Sequence, residues 1–204
     1  MLFNSLIFLL YLPIVFLLYW FVFKKLKWQN AFVVVASYIF YGWWDWRFLL
    51  LIALTTLCSF FSGIGIGTVD DKRWRRVILW SNIVLNLGIL CVFKYFNFFV
   101  ANLQTLLQPL GISLDSVTVN LILPVGISFY TFQALSYSID VYRGQIRFTR
   151  DIVAFFAFIS FFPQLVAGPI ERATNLLPQF IKPRTFNYAA AADGCRQILW
   201  GFFK

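Results

Sequence analysis

Phe48-Leu-Leu-Leu-Ile-Ala-Leu-Thr-Thr-Leu-Cys-Ser-Phe-Phe-Ser-Gly-Ile-Gly-Ile-Gly67 carries no charge from end to end. An α-helix needs about 20 mostly apolar residues to cross the hydrocarbon of a bilayer, and this stretch has that length. Asp45 and Arg47 precede it, and Asp70-Asp71-Lys72-Arg73-Trp74-Arg75-Arg76 follows it. The same alternation of apolar run and short charged loop extends outward in both directions. Residues 2–23 are free of charge, contain Pro13, and lead into Lys24, Lys25 and Lys27. A proline inside a membrane helix is tolerated, often with a kink. Residues 28–44 end in Tyr38, Tyr41, Trp43 and Trp44, the residue types that gather where lipid meets water. Further runs cover 77–93 and 121–139. The more polar 101–120, with Pro109, Gly111 and Asp115, reads as a loop or an interfacial segment. Residues 152–167 barely reach spanning length and contain Pro163 and Gln164, which favours a re-entrant or broken helix. A further helix begins near Tyr188.

The expected class is therefore all-α: a polytopic transmembrane protein of about five to six membrane helices plus one re-entrant or broken helix. Composition agrees. Hydrophobic residues make up 61% of the 204 and charged residues 12%, against roughly 45–50% and 25% in soluble domains. That much apolar surface cannot be hidden inside a water-soluble globule of this size, which excludes a soluble enzyme and a disordered chain. The net charge of +9 lies in short clusters between apolar runs. Such clusters mark cytoplasmic loops rather than a nucleic-acid surface. Loops 24–27, 70–76 and 140–151 hold ten Lys and Arg residues, and the intervening loops hold Arg47 and Lys94. This asymmetry predicts a multi-pass membrane protein with its N-terminus outside. Arg172, Lys182 and Arg184 fit the same rule only if 152–167 does not cross fully.

Common catalytic patterns are missing. Gly63-x-Gly65-x-Gly67 closes an apolar helix, without the strand–turn–helix setting of a nucleotide loop, and reads as helix packing or a helix end. Pro124-Val-Gly126-Ile-Ser128 lacks the second glycine of a nucleophile elbow. Cys58, Cys91 and Cys195 are odd in number and far apart, which suits small packing residues rather than a disulfide or a metal site. No metal is expected. The chain contains no histidine, the side chain best suited to proton transfer near neutral pH.

Two polar stretches stand out. In Leu123-Pro-Val-Gly-Ile-Ser-Phe-Tyr-Thr-Phe-Gln-Ala-Leu-Ser-Tyr-Ser-Ile-Asp-Val-Tyr-Arg-Gly144, steps of three, four and three put Tyr130, Gln133, Tyr137 and Asp140 on one helical face. Lipid cannot satisfy such a stripe, so it faces protein or water. It makes either interhelical hydrogen bonds or one wall of a polar tunnel. The second stretch is Phe161-Phe-Pro-Gln-Leu-Val-Ala-Gly-Pro-Ile-Glu-Arg172. Pro163, Gln164, Gly168, Pro169, Glu171 and Arg172 at membrane depth are costly unless the backbone lines a cavity. Glu171 and Arg172 are sequence neighbours and do not face each other on a helix.

These two stretches carry a family resemblance. They, the opening Met-Leu-Phe-Asn-Ser with Phe8-Leu-Leu-Tyr-Leu-Pro-Ile14, Ala36-Ser-Tyr-Ile-Phe-Tyr-Gly-Trp-Trp44 and Phe93-Lys-Tyr-Phe-Asn-Phe98 resemble bacterial membrane-bound O-acyltransferases. The nearest branch is that of the alginate O-acetyltransferase membrane subunits. The resemblance covers essentially the whole chain. It implies an incomplete version of that fold, its N-terminal part, because the family's catalytic histidine lies in a later helix. No catalytic residue is then expected within 1–204, and this piece alone is expected to be inactive. The resemblance also implies an acyl thioester donor (acetyl-CoA or an acyl carrier) as cytoplasmic substrate, with no bound cofactor. The acceptor is a hydroxyl on an extracytoplasmic polysaccharide such as alginate or on an acetyltransferase partner protein. Gln164, Glu171 and Arg172 are the candidates for the funnel, with Arg172 suited either to the phosphates of the donor or to anchoring a loop at the surface. The competing expectation is a transporter-like or assembly protein, or a decayed gene fragment, that keeps the fold without the chemistry.

The topology has a direct test. A single cysteine at position 182 is expected to react with a membrane-impermeant thiol reagent only from the cytoplasmic face; reaction from the outer face alone makes 152–167 an ordinary crossing.

Overall fold

The computed structural model describes residues 3, 5–43, 45–107, 126–165 and 170–203, with the backbone alone at 101 and 104. Among these residues the protein is all-helical, with no strand. The helices are α1 (Leu6–Leu17) with a π-helical turn (Leu18–Val22), α2 (Leu26–Gly42), α3 (Arg47–Thr68), α4 (Lys72–Leu107), α5 (Ile127–Tyr142), α6 (Ile152–Ser160), α7 (Phe162–Leu165), α8 (Ala173–Ile181) and α9 (Tyr188–Phe203).

Local chemistry sets several of these boundaries. The Ser5 hydroxyl accepts from the Phe8 N–H at 3.2 Å and starts α1. Pro13 sits inside that helix. The Asp151 carboxylate accepts from the Ala154 N–H at 3.0 Å and caps α6, as short oxygen-bearing side chains do for a first turn's free amides. Gly126 precedes α5 with φ of +79°, a left-handed conformation that glycine adopts without steric cost. α6 stops after nine residues. At about 1.5 Å per residue it spans roughly 14 Å, less than half of a hydrocarbon core of about 30 Å. Phe161 leaves helical geometry (φ −55°, ψ 103°), and α7 resumes on its far side.

One sequence expectation changes in part. Residues 101–107 continue α4 as helix, where the polarity of 101–120 suggested a loop or an interfacial segment; 108–120 lie outside the described residues. The side chain of Asn102 points back to the Phe98 carbonyl at 2.7 Å, so the helix satisfies its own polar residue. The mixed segment 170–187 contains a helix, α8, whose Leu176, Leu177 and Phe180 are buried. On length and apolarity alone, two helices among the described residues qualify as membrane spans: Arg47–Thr68, with mean hydropathy 2.1, and Lys72–Val100, with mean hydropathy 1.9.

α5 is the central element and touches α3, α4, α6, α7 and α8. α2 packs along α6. Close approach depends on two glycines of α3. A Cβ at Gly63 would lie 2.3 Å from the Tyr137 ring, and one at Gly67 would lie 2.1 Å from the Phe148 ring. Small residues let membrane helices approach in this way. The sequence read this glycine run as packing, and the structure agrees.

Polarity is inverted relative to a soluble protein. Leu10, Ile14, Trp80, Val84 and Val92 are exposed, while Asn30, Thr55, Thr56, Ser59 and Asn86 are completely buried. The apolar exterior is that of a membrane protein. None of the residues of α9 is buried.

Replacing Gly63 with alanine forces the Tyr137 ring to move. We expect a loss of about 1–3 kcal/mol, the usual cost of overpacking, read as a lowered thermal unfolding midpoint of the detergent-purified protein. An unchanged midpoint would contradict the close α3–α5 approach.

Candidate functional site

The stripe on α5 lies inside the protein. Tyr130 and Tyr137 are fully buried, and Gln133 and Asp140 are nearly so. Its four members are treated differently by their surroundings. The Gln133 amide donates to the Phe158 carbonyl of α6 at 3.0 Å. The Tyr137 hydroxyl accepts from the Thr149 N–H at 3.2 Å, and its ring rests on Phe155 with centroids 4.6 Å apart. These two residues hold α5 to α6 and to the segment that leads into it. By contrast, the Tyr130 hydroxyl and one Asp140 carboxylate oxygen are buried with no hydrogen-bond partner. Thr131 Oγ1, on the same helix, is in the same state. The Asp140 carbonyl accepts from the Gln145 N–H at 2.9 Å. That bond leaves the carboxylate oxygen itself unsatisfied.

The second stretch is less compact. Gln164, on α7, has a buried Oε1 without a partner. Pro163 is exposed beside it. Glu171 is half-buried, and Arg172 is exposed. Arg172 is the N-cap of α8: its carbonyl accepts from Asn175 and Leu176 at 3.0 and 3.1 Å. Among the described residues no acidic side chain forms an ion pair with it. Gly168 and Pro169 lie outside the described residues. α7 and α8 both touch α5, so Gln164 and the α5 stripe belong to one packed unit, while the Arg172 side chain faces outward.

Four buried polar atoms around α5 and α7 thus lack partners: those of Tyr130, Thr131, Asp140 and Gln164. Buried polar groups are nearly always hydrogen-bonded, so each orphan calls for an explanation. No group of three or more metal-ligating side chains occurs among the described residues.

A second polar cluster escaped the sequence reading. The Ser59 hydroxyl donates to Asn82 Oδ1 at 3.3 Å, and the Asn82 amide donates to the Ser138 hydroxyl at 2.8 Å. The Asn86 amide donates to Asn82 Oδ1 at 2.9 Å. The cluster joins α3, α4 and α5, the role polar side chains commonly play between membrane helices. The signal was the i, i+4 pair Asn82 and Asn86 within an apolar run.

No family model matches the chain, and no solved structure matches it. Curated sequences do. The chain is 40% identical, over its whole length, to a protein of Azotobacter vinelandii named "Probable alginate O-acetylase AlgI", covering 40% of that protein. It is 39% identical to the protein of the same name from Pseudomonas aeruginosa, again over the whole chain and 39% of the relative. A "Peptidoglycan O-acetyltransferase" of Helicobacter pylori is 29% identical over the whole chain and 44% of its own length. The chain therefore spans about 40% of the length of the curated relatives it matches. The resemblance to alginate O-acetylases of the membrane-bound O-acyltransferase family is borne out.

The two buried tyrosines separate structural from unpartnered polarity. Tyr137→Phe removes the acceptor of a buried N–H and is expected to cost about 1–3 kcal/mol. Tyr130→Phe removes an orphan hydroxyl and is expected to be neutral or stabilising. Chemical or thermal unfolding of the two variants checks this, and an equal loss in both would show that Tyr130 has a structural partner.

Proposed function

We propose that, as a stretch of an alginate O-acetylase-like membrane protein, residues 1–204 form part of the rim and part of the inner wall of an O-acetyltransferase. In this reading an acetyl group passes from a cytoplasmic thioester, either acetyl-CoA or an acyl carrier, to a hydroxyl outside the membrane. The acceptor is a polysaccharide such as alginate, or a partner protein that relays the group. The acceptor hydroxyl gives its proton to a histidine supplied from outside residues 1–204. Its oxygen attacks the thioester carbonyl, the C–S bond breaks, and a thiol leaves. An alcohol is a poor nucleophile at neutral pH, which is why such a base is needed.

The observation that carries this reading is the set of orphan polar atoms on Tyr130, Thr131, Asp140 and Gln164. They are polar, buried and unsatisfied, as groups are that await a substrate or the rest of a polar tunnel. Gln133 and Tyr137 position the helix that bears three of them. Glu171 and Arg172 stand at the edge, where the Arg172 guanidinium is free to meet donor phosphates. The names of these relatives, O-acetylases or O-acetyltransferases, support an enzyme over a transporter-like or assembly role.

The same reading places the chain in the bacterial inner membrane, with five to six crossings and the N-terminus outside. Arg184 donates to Tyr19 and to Asn30, on the two sides of the basic loop 24–27. That contact supports a segment 152–167 that returns to the face it left.

The test uses the full-length protein in membranes supplied with a labelled acetyl donor. Arg172→Ala and Asp140→Asn are expected to lower acetyl transfer about tenfold or more, the size of one lost charge-assisted hydrogen bond, with membrane insertion intact. Transfer at the wild-type rate in both variants, or transfer by residues 1–204 alone, would contradict the proposal.

A further inference from the structure

A cleft of about 440 Å³ lies between α1, its π-helical turn, α2, the α6–α7 break and α8. Its walls are apolar and aromatic: Leu12, Val15, Phe16, Trp20 and Phe162 among them. One end is closed by Arg184. From Leu12 to Tyr19 the cleft follows α1 for about 10 Å at the rise of a helix. The size is that of a small-molecule site.

The charged end is unusual. The guanidinium of Arg184 donates to the Tyr19 hydroxyl and to Asn30 Oδ1, both neutral. It also stacks on the Tyr19 and Phe180 rings, 5.3 and 5.2 Å from their centroids. Asn30 is held in turn by its amide, which donates to the Phe180 carbonyl at 2.7 Å. The Nε of Arg184 is buried and has no partner, and among the described residues no carboxylate pairs with the side chain. The arginine is thus rigidly held with its charge uncompensated. Lys24, Lys25, Lys27 and Lys182 lie a few residues from the segments that meet here. The outer face of α1 beside the cleft exposes Leu9, Leu10, Ile14 and Leu17 to what an apolar exterior must face, the lipid. An apolar slot open to lipid, ending in a fixed cation at the basic membrane edge, has the chemistry of an anionic lipid site.

We propose that the cleft holds one acyl chain of an anionic phospholipid whose phosphate pairs with Arg184. The phosphate compensates the guanidinium at headgroup depth, and the chain fills the slot along α1 up to Phe162. The site is separate from the polar face of α5 and does not rest on the acyl-transfer reading. It ties α1 to α8 through the lipid and steadies the α6–α7 break, whose Phe161, Phe162 and Pro163 form one wall.

The experiment is native mass spectrometry of the full-length protein, titrated with phosphatidylglycerol and with phosphatidylcholine of the same chains. Phosphatidylglycerol is expected to be retained at least tenfold more tightly. Arg184→Gln is expected to abolish that preference, and Arg184→Lys to keep most of it. Leu12→Trp, which fills the slot without touching the charge, is expected to weaken both lipids, and Arg73→Gln, in the first turn of α4, to weaken neither. Should Arg184→Gln not fold, Arg184→Lys and Leu12→Trp carry the comparison. Equal retention of the two lipids by the wild-type protein would overturn the proposal, as would binding unchanged by Leu12→Trp. Displacement of the lipid by millimolar inorganic phosphate would overturn it in favour of a free-phosphate site. A cross-link from Leu12→Cys to a segment outside residues 1–204 would show that protein, not lipid, fills the slot.

Discussion

In hydrocarbon no water is available to satisfy a polar group, so every donor and acceptor must find a partner within the protein. The rest of the architecture follows from this constraint. Thr55 and Thr56 return their hydroxyls to carbonyls of their own helix at 2.6–3.0 Å. Ser59, Asn82, Asn86 and Ser138 hydrogen-bond to one another across three helices, with Asn86 Oδ1 left over. The Tyr11 hydroxyl reaches the Ala36 carbonyl, and Ser37 accepts the Phe162 N–H just beyond the break that ends α6. With polar groups turned inward, leucines, valines and tryptophans are left to cover the outside.

Against that economy stand the orphan atoms: single ones at Tyr38, Ser62, Arg75, Asn86 and Arg184, and four together on α5 and α7. A helix that touches five neighbours and is held by Gln133 and Tyr137 has little freedom to turn its remaining polar groups elsewhere. At Gly63 the Tyr137 ring occupies the space a Cβ would take, which fixes the register of α3 against α5 further. The rigidity that orients Tyr130 and Asp140 is therefore built from packing and two hydrogen bonds. A polar wall that must be presented to a passing substrate needs such preorganisation.

Much of this was legible in the residues. The charge-free runs gave the all-helical class, and the three-four-three spacing put Tyr130, Gln133, Tyr137 and Asp140 on one face, which is buried. The motifs carried the family. What was not legible depends on contacts distant in sequence. Asn82 and Asn86 lie in a greasy run, and the Ser59 and Ser138 hydroxyls that complete their cluster come from α3 and α5. α8 was hidden because its short apolar face lies among charged and polar residues. Residues 101–107 misled because polarity marks loops in membrane sequences only where the helix leaves the lipid, and α4, at about 54 Å by the helical rise, is far longer than a bilayer is thick. Arg184 read simply as one more basic residue, since nothing in the sequence tells that it turns back onto Tyr19 and Asn30.

The central claim is that the exposed apolar face looks at lipid and the buried polar face does not. Spin labels at positions 10, 84 and 92, and at 59 and 86, in the full-length protein reconstituted into liposomes test it through collision rates with oxygen and with a water-soluble nickel chelate. Frequent oxygen and rare nickel collisions are expected at 10, 84 and 92, and few of either at 59 and 86. Nickel collisions at 10, 84 and 92 as frequent as at the loop residue Asp71 would contradict it.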